Sequence, residues 1–184
     1  MNIEDIPLDK EVYLFEVDDV LFAKSDYDLQ VYYLFANFME FTTGFLSAKD
    51  LVDFMKKVYE NQGEEFVFEG LKEAFGIDEK YKENLLRLNV NAQLPLKLVL
   101  FKEVEELIVR LFTQNKQVAI LTKGNPVEQL NKLKHIDWGE ANRFKSFLKV
   151  YFVDELKFRF LEPIDYIAED YGVRSVDLYC INAD

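Results

Sequence analysis

At 184 residues the chain is long enough for one well-filled core and a smaller second lobe. Its 49% hydrophobic content, with 17 Phe and 10 Tyr, argues against disorder, and a formal charge of −12 without any run of Lys or Arg predicts no nucleic-acid or membrane partner. The single Cys180 excludes an internal disulfide and the single His135 a His-rich metal site, while the acidic stretch from Met1 to Lys10, lacking a signal pattern, predicts a cytoplasmic protein.

Val12-Tyr13-Leu14-Phe15 runs straight into Glu16-Val17-Asp18-Asp19 before the chain turns apolar again at Val20-Leu21. This reads as a buried strand that delivers carboxylates at its carboxyl end, the position where open α/β sheets bind ligands. The period then changes. Tyr27, Val31, Leu34, Phe35, Phe38 and Met39 recur at three and four residues and predict a helix from about Asp26 to Phe41. Further helices are expected from Ser47, an N-cap, to Tyr59, from Glu64 to Phe75 before Gly76, and from Asp78 to Leu88. No strand pattern interrupts these residues, so they read as an inserted helical lobe. The aromatic side chains Tyr32, Tyr33, Phe35, Phe38, Phe41 and Phe45 are expected to form its core, some of them lining a substrate vestibule.

Leu94-Pro95-Leu96-Lys97 is the predicted return linker. A helix follows from Lys102 to Gln114, then the unbroken apolar run Val118-Ala119-Ile120-Leu121, the mark of a strand covered on both faces. That strand ends at Thr122, ahead of a helix with Asn125 as N-cap and Pro126 in its first turn, so backbone N–H groups there offer an anion site. His135, at the end of that helix, is expected at the surface or in a capping role. A third strand is predicted over Leu148 to Val153, a loop over Asp154 to Lys157, a helix over Glu162 to Tyr171 and a fourth strand over Val176 to Ile181. Alternating strands and helices call for an α/β fold with a doubly wound parallel sheet, formed by residues 1–23 and 96–184, with residues 24–95 as a small all-helical domain.

The four strand ends carry Glu16-Val17-Asp18, Thr122, Lys157 and Asn182-Ala183-Asp184 in that order. This ordered set, with a helical insert after the first, resembles the haloacid dehalogenase-like superfamily of phosphohydrolases and its helical caps. The resemblance implies a cytoplasmic, Mg²⁺-dependent hydrolase of phosphatase type acting on a small phosphate ester. In such enzymes the first carboxylate attacks phosphorus, the second acid, Asp18, protonates the leaving alcohol, and Thr122 and Lys157 hold the phosphoryl oxygens. Lys145 and Lys149 are rivals for the lysine role. The resemblance further implies Mg²⁺ held by the Glu16 carboxylate, the main-chain carbonyl of Asp18 and the last strand end, where Asn182 supplies an uncharged oxygen.

Two departures bear on activity. Glu16 stands where the family has Asp, and its extra methylene moves the attacking oxygen by roughly an ångström or more. After the fourth strand the family has a Gly-Asp pair and a later acid, where this sequence reads Ile181-Asn182-Ala183-Asp184. Two functions follow: a phosphohydrolase slowed by Glu16, or a catalytically silent relative that binds a phosphorylated ligand or a protein partner. A 2-haloacid dehalogenase, which shares the fold, relies on an Asp nucleophile and an Arg for the substrate carboxylate, and no Arg adjoins these strand ends in the sequence.

Overall fold

The structure, a computed structural model, describes residues 6–183. In chain order the elements are β1 (Val12–Phe15), α1 (Lys24–Thr43), α2 (Ala48–Gln62), α3 (Val67–Phe75), α4 (Lys82–Asn91), β2 (Leu98–Val99), α5 (Lys102–Thr113), β3 (Gln117–Thr122), α6 (Pro126–His135), β4 (Ile136–Asp137), β5 (Lys149–Phe152), α7 (Val153–Phe158), α8 (Pro163–Tyr171) and β6 (Leu178–Ile181). Contacts divide the chain into two compact units, Met1–Lys24 with Lys97–Asp184, and Ser25–Leu96.

The first unit is built on a parallel sheet of order β5-β3-β1-β6. Its central strand β1 pairs Val12 with Gln117 on one side and with Leu178 on the other, and all four of its side chains are buried. Alternation sends Val12 and Leu14 to one face, where they join Ala119, Tyr151, Leu156, Ile167, Ala168 and Leu178 in a single cluster. Beside β3, α5 buries Val104, Leu107, Ile108 and Leu111 at helical spacing. Burial on both faces is why these strands are unbroken apolar runs.

The second unit is helical throughout. Ser47 caps α2 by accepting from Asp50 N at 3.3 Å, and Gly76 closes α3 in the left-handed conformation. Edge-to-face ring pairs tie the unit together, Tyr32 with Tyr59 at 6.0 Å and Phe54 with Phe75 at 5.2 Å between centroids. The expected aromatic core is only partly realised. Tyr32 and Phe35 are buried, whereas Tyr33, Phe41 and Phe45 are exposed, because α1 carries aromatics around more than one face. Phe38 lines a hollow of about 310 Å³ with Leu34, Asn84, Arg87 and Leu88.

Two local expectations change. The residues Asp154 to Lys157, expected as a loop, belong to the short helix α7, which buries Val153 and Leu156 three positions apart. A second, two-stranded parallel sheet joins β2 to β4, a pairing too short for its pattern to register in the sequence.

Candidate active site

The parallel ladder fixes the backbone from which the acidic residues project. Glu16 N donates to Ile181 O at 3.0 Å, so the β1–β6 pairing continues one residue beyond Phe15. The chain then tightens, with Leu21 N donating to Val17 O at 3.0 Å and Asp19 held at φ 58°. A left-handed backbone suits Asp because its short carboxylate bonds locally, and Asp19 Oδ1 accepts from Lys24 N at 2.8 Å at the start of α1. The third carboxylate of the run is therefore structural.

Glu16 and Thr122 meet across adjacent strands. The fully buried Thr122 hydroxyl donates to Glu16 Oε1, and the same oxygen accepts from Val17 N at 2.8 Å. The longer side chain thus folds back upon donors that surround its own strand end.

Asp18 is held by helix α6. Its Oδ2 accepts from Lys132 Nζ at 2.8 Å and from Gln129 Nε2 at 3.1 Å, while Lys132 also pairs with Glu128 at 2.8 Å. Lys132 is 0% exposed. The geometry is helical arithmetic: Glu128 and Lys132 lie four apart and Gln129 and Lys132 three apart, so all three share a face. Asp18 Oδ1 is buried and has no hydrogen-bond partner.

The lysine that bonds Asp18 is thus Lys132 of α6, which the sequence reading did not name, and no hydrogen bond joins Lys157 to Asp18 among the described residues. Leu156 points into the core and its neighbour Lys157 lies exposed on α7. Lys149 pairs instead with Asp170 at 2.7 Å and lies over the Tyr171 ring, and Lys145 lies over Trp138. Sequence reasoning passed over Lys132 because Lys on a charged helix reads as a solvated face. Here the face is inverted: Val127 and Leu130 are exposed at 51% and 49%, while Gln129, Asn131, Lys132 and His135 are buried. Val127, Leu130 and Leu133, three apart, read as an ordinary apolar stripe, so nothing in the sequence signalled the inversion. His135 is consequently buried, its Nδ1 2.8 Å from Asn131 O, and not at the surface.

At the N-terminus of α6, Asn125 caps Val127 N at 2.9 Å as expected. The backbone N–H of Gly124, part of the anticipated anion site, donates at 2.9 Å to Asp154 Oδ2 from α7. At the fourth strand end Asn182 is exposed beyond β6, and Asp184 lies outside the described residues. Burial pushes the Cys180 thiol of β6 up from its ordinary pKa.

A Mg²⁺ ion seeks hard oxygen donors and keeps several waters, so one or two carboxylates suffice. The Glu16 carboxylate, with the main-chain carbonyl of Asp18 on the same strand end, fits that requirement, and the unpartnered Asp18 Oδ1 is left free for a proton. Among the described residues no group of three His, Cys, Asp or Glu side chains converges, so a fuller protein cage is absent there.

The sequence matches no protein-family model and none of the curated proteins. Solved structures are similar to it in fold. A HAD family hydrolase from Deinococcus radiodurans R1 with bound phosphate and sodium superposes with a TM-score of 0.53 at 13% identity, over 97% of this chain and 74% of that one. A haloacid dehalogenase-like family hydrolase from Xanthomonas campestris gives 0.51 at 13% identity, over 96% and 74%. A hydrolase from Streptococcus pneumoniae TIGR4 gives 0.50 at 14% identity, over 96% and 94%.

Proposed function

We propose, from a chain that has the haloacid dehalogenase-like fold, that its strand-end site carries out slow phosphoryl transfer from a small phosphate ester. The observation that carries this reading is the Glu16–Thr122 contact across adjacent strand ends, with Asp18, two residues on from Glu16, bonded to the buried Lys132 of α6. A phosphate and a cation bound in the Deinococcus structure accord with it.

In this mechanism a Glu16 carboxylate oxygen forms the bond to phosphorus as the ester P–O bond breaks, and the departing oxygen takes a proton from Asp18. Water then attacks the acyl phosphate, giving its proton back to Asp18, and inorganic phosphate leaves with Glu16 regenerated. Thr122 orients a phosphoryl oxygen, and Lys132, held against Asp18 and Glu128, fixes the Asp18 carboxylate and balances charge in a strongly acidic chain. Glu16 and Asp18 would hold Mg²⁺, which when bound neutralises the phosphate charge.

A second reading, a silent protein that binds a phosphorylated ligand, draws on the Glu16–Thr122 contact and on the neutral, exposed Asn182. Mg²⁺-dependent release of phosphate from an aryl phosphate separates the two. The first reading expects a low rate that Glu16→Ala abolishes; a rate equal in wild type and Glu16→Ala overturns it.

No helix among the described residues is long and apolar enough to cross a membrane. A small phosphorylated substrate fits a chain of charge −12 without any run of Lys or Arg.

A further inference from the structure

Glu16 does more than stand at a nucleophile position. Its Oε1 accepts from both the Thr122 hydroxyl and the Val17 N–H, two donors that converge on one point at the carboxyl end of the sheet. An Asp side chain, one methylene shorter, would leave a gap of roughly an ångström or more at that point. The pattern recurs nearby, where the Asp154 carboxylate takes the Gly124 N–H at the start of α6. Donors that could receive an oxyanion are thus satisfied by carboxylates of the chain itself, and each such bond strengthens with the charge of its acceptor.

We propose that the Glu16 carboxylate is a resident substitute for a phosphoryl group, so that phosphate enters the site only by displacing it from Thr122 and Val17. The inference rests on the phosphoryl-transfer reading of this site and adds a reason for its low rate. The site is closed by internal competition, in addition to any misplacement of the nucleophile. Gln at position 16 keeps an oxygen that can accept both hydrogen bonds and removes only the charge. Ala removes both.

Binding of inorganic phosphate, by calorimetry with and without Mg²⁺, tests this on wild type, Glu16→Gln, Glu16→Ala and Glu16→Ala with Thr122→Val, each checked for folding by circular dichroism. Because hydrogen bonds to charged groups are worth on the order of one to two decades in affinity, Glu16→Ala should bind phosphate about tenfold or more tightly than wild type. Glu16→Gln should lie between them, and Thr122→Val should remove the gain. Wild type binding as tightly as Glu16→Ala overturns the resident-carboxylate inference while leaving a phosphate site in place. No binding by any folded variant overturns both the inference and the phosphoryl-transfer reading.

Discussion

Lys132 Nζ lies 2.8 Å from Asp18 Oδ2 while its side chain is wholly withdrawn from solvent. A buried ammonium is tolerated only when paired, and here Asp18 and Glu128, each partly exposed, share it. Lys132→Met should therefore leave two carboxylates facing each other without their cation. Removing one partner of a fully buried pair costs ~3–5 kcal/mol; because both carboxylates can rehydrate, the expected loss is about 2 kcal/mol, measured by urea unfolding. Adding Asp18→Asn should recover part of it, and a wild-type midpoint in Lys132→Met would contradict the pairing.

Asp19 carries two local duties, a positive φ and a bond to Lys24 N. Asn serves both, so Asp19→Asn should change stability little. Asp19→Gly keeps the backbone freedom and loses the bond, at a cost of a few tenths to about 1 kcal/mol. Asp19→Ala loses the bond and strains the backbone, for about 2 kcal/mol in all. Thermal unfolding of the three variants should rank them in that order.

A second charged cluster fastens α8 to β5. Lys149, and after it the Tyr151 hydroxyl, hold the Asp170 carboxyl below the usual carboxylate range, while burial and then Asp170 push the Tyr151 phenol upward. Since the folded pKa of Asp170 lies below its unfolded value, its contribution is present above about pH 4 and is lost as pH falls through the folded pKa. Asp170→Asn should be less stable than wild type at pH 7, by an amount kept modest by solvent screening, with the gap closing below about pH 4. Urea midpoints measured across that range check the sign.

The apolar runs of β1 and β3 were legible because strands buried on both faces leave nothing polar in the sequence to confuse the period. Thr122 was legible for the same reason, as the first polar residue after such a run. Lys132 was not, because helix α6 turns its polar side chains inward and two of its apolar ones outward, the reverse of an ordinary amphipathic helix. Asp154 to Lys157 reads as a loop, whereas the burial of Val153 and Leu156 makes it a helix with Lys157 on its exposed side. The consequence of Glu16 could be read only in part: its spelling departs from Asp, but its bonds to Thr122 and Val17 exist only once β1 and β3 are paired.

The proposed phosphohydrolase site is one held back by a single residue, Glu16. The most direct measurement is Mg²⁺-dependent hydrolysis of an aryl phosphate by Glu16→Asp beside the wild type. Shortening the side chain should free Thr122 and return the attacking oxygen to its place, and since misplacement by an ångström costs on the order of 100-fold, a rise of that order is expected. A rate in Glu16→Asp no higher than in wild type, with the protein folded and Mg²⁺ present, would contradict the account.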